Sequence, residues 1–150
     1  MTKTDKQLAH DLRELIVVLY RQMQKHISNE EQLSVAAQNI MYQLTQKDEL
    51  LPSELCTLLN ISSQYISQVF NQLESLDYIV RKPSASDGRK TLVSLTAKGK
   101  LKVQQSRKER EEWLAGLLAE RLSSTDKEVI KKALGLLNTL IEPSVSSINS

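Results

Sequence analysis

Apolar residues recur at three- and four-residue steps from the start of the chain: Leu8, Leu12, Leu15, Ile16, Leu19, Met23 and Ile27. That spacing places them on one side of an α-helix, so residues 5–27 are predicted to form one amphipathic helix whose stripe needs a partner. The polar stretch SNEEQ interrupts the pattern. Ser34 then suits a helix N-cap, with Val35, Ile40, Met41 and Leu44 pointing inward along a second helix that ends near Leu44. QKDEL reads as a loop. Pro52 fits the first turn of a short third helix, where a backbone amide has no helical partner to lose. Leu55, Leu58 and Leu59 supply its buried side, and Asn60, which tolerates a left-handed backbone, ends it.

A fourth helix is predicted from Ser62 or Ser63 to Leu76, with Ile66, Val69, Phe70, Leu73 and Leu76 on one face and Gln64, Gln68, Asn71 and Ser75 on the other. The outer face carries amides and hydroxyls where a merely solvated helix would more often show Glu and Lys. The period then changes. YIVRK and TLVSL are rich in β-branched residues and PSASDGR between them is turn chemistry, so residues 78–95 read as an antiparallel hairpin. A long fifth helix runs from Thr96 to about Leu122, with Trp113, Leu114, Leu117 and Leu118 apolar. A sixth, capped by Ser123 or Thr125 with Asp126 or Glu128 behind, carries Val129, Ile130, Ala133, Leu134, Leu137, Leu140 and Ile141. Pro143 stops it, and the closing SVSSINS has little to bury. There is no internal repeat and no low-complexity segment.

The expected class is therefore mainly α with a small β-hairpin wing (α+β). Four helices, a hairpin and two further helices describe a winged helix-turn-helix with N- and C-terminal dimerisation helices. Residues 34–96 would be the DNA-binding lobe, and residues 1–33 and 97–150 the helical dimerisation region. In such a lobe the second helix of the pair enters a major groove and the hairpin reaches the flanking backbone or minor groove. Helices 1, 5 and 6 hold more apolar surface than a small winged core can cover, and a symmetric homodimer would bury the surplus.

Composition narrows the alternatives. A chain of 150 residues with 40% hydrophobic and 25% charged side chains is an ordinary globular length and balance, and no apolar run approaches a membrane span. MTKTDKQLAH lacks the apolar core of a secretory signal, and the single Cys56 closes no disulfide within the chain, so a cytoplasmic setting is expected. The net charge of +2 hides an asymmetry. Residues 81–110 hold ten basic side chains against two acids, a local +8, whereas the remaining 120 residues carry −6. The cluster begins inside the hairpin that follows the helix pair, which favours a polyanion partner over a merely solvated helix face.

No catalytic constellation stands out: there is no Gly-rich phosphate loop, HExxH or GxSxG, and no enzyme activity is expected. His10 and His26 lie sixteen residues apart on one predicted helix and make no metal spacing, so neither metal nor cofactor is expected. Trp113 reads as core or dimer interface. Cys56 reads as core packing, because nothing basic lies near it in sequence to stabilise a thiolate.

Gln64 and Gln68 are the candidates for base readout, since an amide donates to and accepts from one base edge together, the geometry that suits adenine. Ser62, Ser63, Tyr65, Ser67 and Asn71 would contact phosphate or sugar, which fixes register without selecting sequence. Arg81, Lys82 and Lys90 would contact phosphates. The alternative for this polar face is a protein-docking module of the same fold.

The run LESLDYIVRKPSASDGRKTLVSLTAKG resembles the MarR family of bacterial transcription regulators in the end of its recognition helix, its acidic-x-Arg wing tip and its LTxxG start to the next helix. The resemblance extends over residues 5–142. It implies that Arg89 is the tip arginine that enters the minor groove, where negative potential is concentrated, and that Asp87 orients it. It also implies a repressor, bound to a pseudo-palindromic operator on double-stranded DNA and released by a small aromatic effector, with Arg13, Tyr20, Met41 and Tyr42 as candidate effector residues. Some members sense peroxide through cysteine, which makes a thiol switch at Cys56 the alternative. Two departures stand out: Asp77 replaces the glycine that commonly ends the recognition helix, and Leu51 replaces a capping Thr or Ser.

Overall fold

A computed structural model describes residues 1–142. Its elements are α1 (Lys3–Gln24), α2 (Val35–Gln46), α3 (Pro52–Leu59), α4 (Ser63–Ser75), β1 (Ile79–Pro83), β2 (Thr91–Leu95), α5 (Ala97–Arg121) and α6 (Ser124–Asn138). The expected class and element order are observed. Pro143 and SVSSINS lie outside the described residues. The chain falls into two compact units, one ending at Arg110 and one beginning at Glu111, with the boundary inside α5.

Local chemistry accounts for the helix ends. Thr2 starts α1 earlier than the apolar stripe suggests: its hydroxyl accepts from the Asp5 amide at 3.1 Å while Asp5 accepts from the Thr2 amide at 2.6 Å. The helix also stops earlier, at Gln24, where the Lys25 and His26 amides bond three residues back to Gln22 and Met23. Ser34 caps α2 through the Ala37 amide, and Asn60 ends α3 with φ 52°. Leu51 has no side-chain cap to offer α3. Glu54 reaches back to its amide at 3.2 Å instead.

The core of the first unit joins Ile40, Met41 and Leu44 of α2, Leu55 of α3, Ile66, Val69, Phe70 and Leu73 of α4, and Ile79, Val93 and Leu95 of the hairpin. Val35 was expected inward and is 50% exposed, because it lies roughly 140° around α2 from Ile40. Ala37 is buried in its place. Leu58 is likewise exposed: the buried arc of α3 runs through Leu55, Cys56 and Leu59 and leaves Leu58 just outside it. The hairpin is antiparallel, with Ile79 opposite Leu95 and Pro83 opposite Thr91. QKDEL is more than a loop, since Leu50 is buried and exchanges both backbone hydrogen bonds with Val93 at 2.9 and 3.0 Å.

Apolar faces remain open elsewhere. Along α1, Leu8, Leu15 and Ile16 are exposed, and along α6, Val129, Ile130 and Leu134. Among the described residues no helix is long and apolar enough to cross a membrane.

Candidate nucleic-acid interface

Ser62 fixes where α4 begins, its hydroxyl accepting from the Tyr65 amide at 3.1 Å. With Ile66, Val69, Phe70 and Leu73 buried, the opposite side is obliged to face solvent, and Ser62, Ser63, Gln64, Ser67, Gln68 and Asn71 are all exposed. Gln64 and Gln68 stand one helical turn apart on that face. The Ser67 hydroxyl donates to the Ser63 carbonyl at 2.9 Å, and the Tyr65 hydroxyl reaches Ser34, at the start of α2, at 3.5 Å.

The exit of α4 aims the wing. Asp77 is left-handed, φ 60°, the Asp77 amide bonds to the Glu74 carbonyl and the Tyr78 amide to the Leu73 carbonyl, both at 2.9 Å. This double closure is the usual one at a helix end that turns left-handed, and Tyr78 and Leu73 on either side of it both belong to the buried core. The LTxxG return, Leu95 to Gly99, secures the same point. Thr96 donates its hydroxyl to the Asp77 carbonyl at 2.6 Å, accepts from the Gly99 amide at 2.9 Å, and bonds through its own amide to the Tyr78 carbonyl at 3.0 Å. Lys98 adds its ammonium to the Leu76 carbonyl at 3.1 Å and lies 5.4 Å from the Tyr78 ring centre.

At the wing tip, Asp87 shapes the turn: its carboxylate accepts from the Arg89 amide at 3.1 Å and its carbonyl from the Lys90 amide at 3.0 Å. The acid therefore acts on the Arg89 backbone. Lys82, Arg89 and Lys90 are exposed and pair with no acid among the described residues. Arg81 differs: its guanidinium pairs with Glu74, lies 3.4 Å from the Asn71 amide oxygen and sits 5.6 Å from the Phe70 ring centre.

Part of the basic cluster is occupied inside the protein, which charge counting alone did not reveal. Lys102 bonds to the Ser28 carbonyl at 2.9 Å and to Glu31 at 3.1 Å, and Glu31 also accepts from the Tyr78 hydroxyl. Glu109 accepts from the Ser28 amide at 2.7 Å and hydroxyl at 2.9 Å. Arg110 donates to Gln38 at 3.3 Å. Burial would raise the Glu31 carboxyl, but the Tyr78 and Lys102 bonds outweigh it and hold the group below its ordinary value. Burial and the adjacent Glu31 push the Tyr78 phenol up to about 12. The Ser28 amide is the main influence holding Glu109 low, against some burial. Lys98, Lys102, Glu31 and Tyr78 also line a hollow of about 360 Å³.

The remaining candidates are dispersed. Arg13 is exposed and paired with Glu14, Tyr20 and Tyr42 are 41% and 47% exposed, and Met41 is in the core at 2%. None of the four lines the hollow beside Tyr78. Cys56 is half-buried against the core. No group of His, Cys, Asp or Glu among the described residues could hold a metal ion.

A capped helix with an uncharged polar face, joined through a fixed turn to a basic hairpin, defines the winged helix-turn-helix class of DNA-binding transcription regulators. A family model described as transcriptional regulator SarA/Rot matches residues 22–106, and the chain belongs to that family. A helix-turn-helix-type transcriptional regulator of Mycobacterium bovis is 26% identical over 144 residues, 96% of this chain and 99% of the relative. A Pseudomonas aeruginosa protein described as a transcriptional regulator superposes with a TM-score of 0.79 at 27% identity, covering 93% of this chain and 97% of that one. A MarR family protein from Bacillus stearothermophilus shares the fold, with a TM-score of 0.76 at 17% identity over 95% of this chain and 99% of that one. The sequence resemblance to MarR proteins thus holds in three dimensions.

Proposed function

We propose that two copies of the chain bind a pseudo-palindromic operator, each inserting α4 into a major groove and its wing tip into the adjacent minor groove. The observation that carries this reading is the exposed, uncharged face of α4 beside a hairpin whose Lys82, Arg89 and Lys90 are exposed and, among the described residues, without acidic partners. Gln64 and Gln68 read base edges, and each bidentate contact is worth about 1–3 kcal/mol of discrimination. Ser62, Ser63, Tyr65, Ser67, Lys82 and Lys90 hold the phosphates, and Arg89 enters the minor groove on a tip shaped by Asp87.

The second copy covers the apolar faces that α1 and α6 expose. Residues 1–33 and 97–150 supply this association, and residues 34–96 the contact with DNA. Repression is the regulation we propose: where the operator overlaps a promoter, the bound dimer excludes other proteins from it. Relief by a small aromatic effector completes the proposal.

Selection of bound duplexes from a random pool tests the reading: an inverted repeat with half-sites about one helical turn apart is expected. Recovery of single, unpaired half-sites, or of no consensus, contradicts it. Screening aromatic acids for loss of operator binding tests the effector, and operator affinity unchanged by all of them counts against that part.

A further inference from the structure

Among the basic residues of the wing, Arg81 is set apart by its surroundings. It lies on β1, opposite Val93, and its side chain turns back over α4 to meet three positions on one side of that helix: the Phe70 ring, the Asn71 amide and the Glu74 carboxylate. Arg81 and Glu74 are each about one-third exposed, at 34% and 36% of the side chain, so the pair is neither deeply buried nor freely solvated. A guanidinium offers a planar face to an aromatic ring and a fork of N–H donors to oxygen acceptors at the same time, which a lysine ammonium does not. Lys82, the next residue, is exposed and meets no such partner among the described residues.

We infer that Arg81 is a positioning residue for DNA recognition, clamping the first wing strand to the recognition helix through Glu74, Asn71 and Phe70, and that it does not neutralise a phosphate. The inference rests on the proposed insertion of α4 and the wing tip into neighbouring grooves. Those two parts can reach their grooves together only if the angle between them is held. Asp77 and Thr96 fix that angle at the base of the hairpin, and Arg81 fixes it four residues further along the chain, on β1.

The two roles for Arg81 predict opposite signs for a change at its partner. Were Arg81 a phosphate ligand, Glu74 would be a competing acid beside the DNA, and Glu74→Gln would tighten binding. As half of a clamp, Glu74→Gln loosens the wing and weakens binding.

The test measures affinity for a duplex selected from a random pool on the wild-type chain, at several salt concentrations, for Glu74→Gln, Arg81→Gln, the double variant and Arg89→Ala. The clamp predicts that Glu74→Gln and Arg81→Gln each weaken binding by about tenfold, and that the double variant is no weaker than either. It also predicts that Arg81→Gln leaves the slope of log affinity against log salt at its wild-type value. Tighter binding by Glu74→Gln, or a slope shallower by about 1.8 in Arg81→Gln, as expected if each copy of the dimer lost one phosphate contact, overturns the clamp and leaves the DNA reading standing. Wild-type affinity in Arg89→Ala, together with no preference of the wild-type chain for the selected duplex over random DNA, overturns the DNA reading itself. Thermal melts of all four variants confirm that each is folded.

Discussion

At the residue scale, the site depends on side chains whose options are limited by their neighbours. Gln64 and Gln68 face solvent because four apolar residues of α4 are buried behind them. Replacing either with Ala is expected to lower operator preference by about 1–3 kcal/mol with little effect on binding to random DNA, as read by competition titration. Glu31 gives a pH prediction. Its folded carboxyl titrates below the ordinary 4.5, so its contribution to stability is complete above that value and is lost as pH falls through the depressed one. Glu31→Gln should therefore lower the melting temperature at neutral pH and flatten its decline in acid; an unchanged acid limb would contradict the assignment. Tyr78 acts at the other end. Its phenol is raised from 10.0 to about 12, so the stability it confers is complete below 10 and lost across that interval as pH rises. Asp77 holds a left-handed backbone with a side chain that prefers otherwise, and Asp77→Gly is expected to stabilise the fold by up to about 1 kcal/mol in chemical denaturation.

At the scale of elements, periodicity located the helices, because burial of one face leaves a repeat that is visible in the residues themselves, and β-branched runs on either side of turn residues located both strands. The ends were less legible where capping opposed the apolar pattern. Thr2 and Asp5 extend α1 beyond its first stripe residue, and their spacing is a capping signal that hydrophobic periodicity does not register. The pairing of Leu50 with Val93 had no local signal, since a single bridge depends on where α2 and α3 leave the chain. Gly99 links motif to geometry. A methyl group there would lie 2.1 Å from the Tyr78 carbonyl oxygen and 3.0 Å from Leu95. Gly99→Ala is expected to destabilise the first unit by roughly 1–3 kcal/mol, measured by urea unfolding, by forcing α5 away from the turn that Thr96 and Asp77 secure.

At the scale of the molecule, the charge asymmetry was visible in the sequence but its use was not. Ten basic residues between 81 and 110 suggested one anionic partner, yet Arg81, Lys98, Lys102 and Arg110 find partners within the chain. Those partners lie at distances along the chain that no local pattern encodes: Glu31 is 71 residues from Lys102, and Gln38 is 72 from Arg110. Within the hairpin the candidate surface contracts accordingly to Lys82, Arg89 and Lys90, beside α4. A dimer neutralising about six phosphates should show log affinity falling with log salt at a slope near −5. The central claim is that α4 selects sequence while the wing supplies affinity. Anisotropy titration of the wild-type chain, a Gln64→Ala/Gln68→Ala double variant and Arg89→Ala against a selected duplex and a random one tests it most directly. The account predicts that the glutamine variant binds both duplexes alike at the wild-type chain's random affinity, whereas Arg89→Ala weakens on both. A glutamine variant that keeps the full preference for the selected duplex would contradict it.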